Sequence, residues 1–136
     1  LLIRPAALAA ALRFTGDELD ELADRFTSPG SAYLADMFEA ILKHTTLEPL
    51  YVILSETGHL LEWGHHFAYY PSKRHTLSHL NKQVIWAFRQ LCGGNADAFA
   101  DGIADCYRYT LVCMKKHMIE KYKFYNAAHI RIPEKY

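Results

Sequence analysis

The strongest constraint on this chain is its apolar period. Apolar residues return every three or four positions over most of its length, the spacing of one face of an α-helix. Leu8, Leu12, Leu19, Leu22 and Phe26 share such a face and predict one helix running roughly from Pro5 to Phe26. Pro5 suits a first helical turn, where its missing N–H has no partner to lose. Thr27-Ser28-Pro29-Gly30 breaks the pattern. Ser31 is a candidate cap for a second helix with Tyr33, Leu34, Met37, Phe38, Ile41 and Leu42 on its apolar side. A third stretch, capped at Thr45 or Thr46, carries Leu47, Leu50, Tyr51, Leu54, Leu61 and Trp63; Gly58 is placed to divide it and Tyr70-Pro71-Ser72 to end it. A fourth helix is expected from about Lys73 to Cys92, with Leu77, Leu80, Val84, Ile85, Phe88 and Leu91 inward and Gly93-Gly94 as its stop. Asn95 would cap a fifth, continuing towards Tyr122 with Phe99, Ile103, Cys106, Tyr107, Leu111, Met114 and Met118 inward. The tail Ile130-Arg131-Ile132-Pro133 reads as extended. No segment alternates apolar and polar residues between hairpin turns, so the expected fold class is all-α, one domain over residues 1–136.

Composition narrows the function classes. Lys plus Arg and Asp plus Glu both number 15, so the formal net charge is zero. That argues against nucleic acid as the main partner and against electrostatic anchoring on a membrane. No apolar run reaches the length of a membrane span. Cys92, Cys106 and Cys113 form no disulfide framework and read as free, mostly buried thiols in a reducing compartment. No phosphate-binding glycine loop, nucleophile elbow or paired-carboxylate motif is present, and an enzyme is not expected. No cofactor is implied.

The motif Leu8-x-x-x-Leu12-x-x-x-Gly16-Asp17-Glu18 resembles the third homology motif of the Bcl-2 family of apoptosis regulators. Three further segments match in order. Ser28-Pro29-Gly30-Ser31-Ala32-Tyr33, with Phe38-Glu39-Ala40-Ile41-Leu42 after it, resembles the family's Pro-Gly-Thr-Ala-Tyr segment and following helix. Glu62-Trp63-Gly64-His65 resembles the Asn-Trp-Gly-Arg of the first homology motif. Phe99 to Glu120 resembles the sixth family helix and the start of the second homology motif. The departures are also clear. The first family helix has no evident counterpart, His65 stands where the family has Arg, and Pro71 interrupts the central helix.

The resemblance implies a Bcl-2-like helical bundle with a hydrophobic surface groove that receives an amphipathic death-motif helix. Phe26, Tyr33, Phe38, Ile41 and Leu42 would be apolar groove walls. Gly64 would allow close approach of the ligand helix, His65 would meet its Asp, Trp63 would support the fold, and Phe67 and Tyr70 would border the groove. Gly16 would permit close helix approach within the death motif, and Asp17 would be its acidic residue. The implied partners are proapoptotic Bcl-2 proteins, held in an anti-apoptotic role in the cytoplasm or at the mitochondrial outer membrane, as in a divergent viral or distant animal homologue. A homodimer would cover an open groove.

Two other classes stay open. Eight histidines, with Glu56-x-x-His59 and His75-x-x-x-His79 at helical ligand spacing, suggest a helical metal- or haem-binding protein using His59, His65, His75 or His79. Rim or surface histidines explain the same residues without a metal. A structural helical dimer is the third class.

Overall fold

The computed structural model describes residues 2–29, 31–45, 51–56 and 73–122. Every element among them is helical: α1 (Ile3–Ala11), α2 (Gly16–Arg25), α3 (Tyr33–Lys43), a stretch over 51–56 called α4, α5 (Lys73–Cys92) and α6 (Ala96–Tyr122). The all-α class is as expected. No helix among the described residues is long and apolar enough to cross a membrane.

The hairpin of α5 and α6 organises the bundle. α6 packs along α5 and along α1, α3 lies on α5 and touches α1, and α2 packs on α3. The turn between α5 and α6 is short because each end is capped. Gly94 takes φ +82, a left-handed conformation that costs glycine nothing. Asn95 opens α6, and its side-chain oxygen accepts the Ala98 N–H at 3.2 Å. So short a turn leaves the two helices antiparallel. Between them Leu80, Val84, Ala87, Phe99, Ile103 and Cys106 are fully or almost fully buried.

Small residues bring α1 in. Ala6, Ala7 and Ala10 are buried together with Ile3, and small side chains at a crossing let helix axes approach closely. On the solvent side, Arg4 Nε donates to Asp101 of α6 at 2.7 Å, and its Nη2 lies 3.6 Å from Asp97.

The expected single helix from Pro5 to Phe26 is two helices. The break falls at residues 12–15. Thr15 is extended, at φ −84 and ψ 162, and makes a capping box with Glu18: its hydroxyl accepts the Glu18 N–H at 3.2 Å while Glu18 Oε1 accepts the Thr15 N–H at 3.2 Å. Phe14 turns its ring edge-on to Phe99 and to His44. Local capping and an aromatic anchor thus override a continuous apolar period.

The start of α3 also differs from expectation. Ala32, not Ser31, is the cap residue, and it supplies no side-chain bond. The missing acceptor comes from α5: Asn81 Oδ1 accepts the Tyr33 N–H at 3.1 Å, and Asn81 Nδ2 donates to the Ser31 carbonyl at 2.8 Å. One amide on α5 thereby stands in for a local cap and fixes where α3 begins. Of the three thiols only Cys106 is buried; Cys113 is half-buried and Cys92 is exposed, against the expectation of mostly buried cysteines.

Candidate functional site

The death-motif residues do not share one helical face. Leu8, on α1, packs against the core. Leu12 lies past the end of that helix and is 80% exposed. Gly16 is the first residue of α2, and a Cβ built on it meets nothing within 4 Å. It therefore permits no close helix contact, contrary to expectation. Asp17 is exposed in the first turn of α2, where a carboxylate favours the positive end of the helix dipole. Beyond the break, Leu19 packs against the core, and Leu22 and Phe26 are buried.

The expected groove walls divide in two. Phe26, Tyr33 and Ile41 are core residues and line no open surface. Phe26 lies 5.0 Å from the Tyr33 ring and meets Phe88 of α5 edge-on at 5.2 Å. This contact seats the α2–α3 corner on the hairpin. Phe38 and Leu42 are half-buried, with Phe38 against Tyr107 of α6 at 5.9 Å. Trp63, Gly64, His65, Phe67 and Tyr70 lie outside the described residues. Tyr51, Val52 and Ile53 of α4 are exposed.

A polar knot ties the α1–α2 break to the end of α3. His44 Nε2 and Glu18 Oε2 are 2.6 Å apart. Arg13 Nη1 donates to the His44 carbonyl at 3.1 Å. The hydrogen bond from His44 holds the Glu18 carboxyl below the usual carboxylate range, with help from Thr15 and against the effect of burial. Beside this knot, Arg25 of α2 faces Glu21, Asp36 and Glu39, at 2.9, 3.6 and 4.0 Å. The crossing of α2 and α3 is thus charged and shallow, unsuited to an apolar ligand.

The other side of the hairpin is different. Trp86 of α5 is 51% exposed and lies over Gly102 of α6. A Cβ on Gly102 would come within 3.0 Å of the Ala87 Cβ and 3.1 Å of Trp86 Cζ3. That glycine is what lets the indole lie down on α6. Trp86, Gln83, Gly102 and Asp105 line a surface cleft of about 320 Å³. The apolar period marks Trp86 only as an aromatic; its pairing with a glycine on the next helix could have been found only by setting α5 against α6.

Further along the same seam, the His79 ring stacks on Tyr109 at 4.2 Å. Burial, and then the neighbouring Cys113, push the Tyr109 hydroxyl up to about 12. Burial likewise holds Cys106 at about 12, a poor nucleophile. Among the described residues no group of three or more His, Cys, Asp or Glu side chains converges on a metal position; the side chains of His59, His65 and His75 lie outside them.

Comparison of the chain with protein-family models, with curated proteins and with solved structures finds no match.

Proposed function

We propose that this chain is a non-enzymatic regulator of cell death of Bcl-2 type, which receives an amphipathic death-motif helix from a proapoptotic partner and sequesters it. One observation carries the choice of receiver over donor. Of the apolar residues of its own motif stretch, Leu8, Leu19, Leu22 and Phe26 are turned onto its own core, and Leu12, at the break, is the exposed exception. A donor helix must present those residues to a partner, and here exposing them would strip the bundle of its α2–α3 corner. The ordered run of four matching segments supports the family reading. Phe38, Leu42, Tyr51 and Val52 keep apolar surface that a docked helix could cover. The family resemblance, and not the described residues, adds Gly64 and His65 to this reading.

Calorimetric titration with peptides spanning proapoptotic death motifs tests this. The expected result is one-to-one binding of at least one peptide with a Kd below about 1 μM, or about −8 kcal/mol. Gly64→Glu abolishes it if Gly64 has the close-approach role that the family resemblance implies. Absence of binding to every peptide at high micromolar concentration overturns the proposal.

A further inference from the structure

The face that α5 and α6 present to solvent is bipolar. On α5, Lys82, Trp86 and Arg89 follow one another at spacings of four and three, so they form one stripe. Lys82 and Arg89 are exposed and have no ion-pair partner among the described residues. On α6, Asp97, Asp101 and Asp105 follow at spacings of four and form a second stripe. Arg4 serves the first two carboxylates and Arg108 the third, all in exposed pairs that cost little to rearrange. Between the stripes lies the exposed Trp86 ring on Gly102. A basic and an acidic stripe thus run side by side along the hairpin, with the Trp86 ring lying between them.

Such a surface fits itself. We propose that a second copy of this chain docks on the α5–α6 face, related by a twofold axis along the seam between the helices, with Trp86 at its centre. That rotation lays α5 of one copy on α6 of the other. Trp86 and Gly102 sit level, which fixes the register. At the helical rise, Lys82 lies about 6 Å to one side of that level and Asp105 about 4.5 Å to the same side. Arg89 lies about 4.5 Å to the other side, between Asp101 at about 1.5 Å and Asp97 at about 7.5 Å. Each cation of one copy therefore meets a carboxylate of the other, and the two indoles close over the seam. Zero net charge removes any long-range repulsion between copies. Two helices about 30 Å long and together about 20 Å wide offer roughly 600 Å² per copy, the area of a weak, reversible dimer. A Trp at the centre of a charged rim is the usual composition of an interface hot spot.

Sedimentation of the full chain over a range of concentrations tests this. The weight-average mass is expected to rise from 15.6 kDa towards twice that value at low salt. Salt of about 0.5 M should weaken the dimer, because the rim pairs are screened. Trp86→Ala raises the dissociation constant by at least about tenfold. Lys82→Glu and Asp105→Lys each weaken the dimer, and the two together in one chain restore it, since the exchanged charges still face each other. A monomer at every concentration, a dimer indifferent to Trp86→Ala, or a double charge exchange no better than either single change would each overturn the proposal. The dimer does not rest on the groove reading: a monomeric Trp86→Ala chain that still binds a death-motif peptide separates the two.

Discussion

Two stretches of this chain carry the same apolar period and fold differently. Residues 73–92 and 96–122 form long unbroken helices, separated by an unambiguous local signal at Gly93-Gly94-Asn95. Residues 3–25 form two short helices, although their period runs straight through. In the hairpin, local and tertiary forces agree: the period, the Gly93-Gly94 stop and the Asn95 cap all say the same thing. In the first stretch they compete. The period asks for one helix, while the Thr15–Glu18 capping box, the Phe14 anchor and the His44 bond impose a new start. The period marks most of the inward residues, with Leu12 at the bend left 80% exposed, and it is nearly silent about where the axis bends.

That contrast can be broken from either side. The largest effect is expected in the hairpin. Phe99 is fully buried and touches Phe14 from the other stretch, so Phe99→Ala should cost about 3–5 kcal/mol, read as a fall in the urea midpoint. Next come the two glycines, which separate the regions by sign. Gly102→Leu forces a side chain into Trp86 and Ala87 and should destabilise by about 1–3 kcal/mol. Gly16→Ala meets open space at a helical position and should be neutral or stabilising by less than about 1 kcal/mol. Thr15→Ala removes the cap acceptor of α2 and should cost about 1 kcal/mol by the same denaturation measurement.

The smallest effect is a pH dependence. The Glu18 carboxyl is held below its ordinary range in the folded chain, chiefly by the hydrogen bond from His44. Its contribution is therefore fully present above the ordinary carboxylate range and is lost as pH falls through its lowered value. Stability followed from neutral pH to about pH 3 should drop less in Glu18→Gln than in the parent chain, and the two curves should converge in acid.

Much of this was legible in the residues. The all-α class, the end of α5 and the start of α6 follow from period and punctuation alone. The α1–α2 break was also written in the sequence, as Thr15-x-x-Glu18, a capping-box signature that the stronger apolar period masks. The start of α3 was not legible: Asn81 supplies the acceptor from 48 positions away, and no local pattern encodes that. The candidate site was legible only in its chemistry. Phe26, Tyr33 and Ile41 have the size and spacing of groove walls, but the same properties make good core residues, and burial decides between the two. Trp86 and Gly102 belong to different helices, so their contact depends on the hairpin register, which the sequence fixes only once the turn is known.

The receiver reading turns on Leu8, Leu19, Leu22 and Phe26 staying packed into their own domain and so not being free to serve as a ligand. Residue-resolved amide exchange of the intact chain under native conditions tests it most directly. The account predicts strong protection within α1 and at Leu22 and Phe26, approaching that of α5 and α6, interrupted by rapid exchange at Gly16 and Asp17, whose amides open a new helix. Uniform fast exchange from Leu8 to Phe26 would show a stretch free to leave the bundle, and would contradict the account.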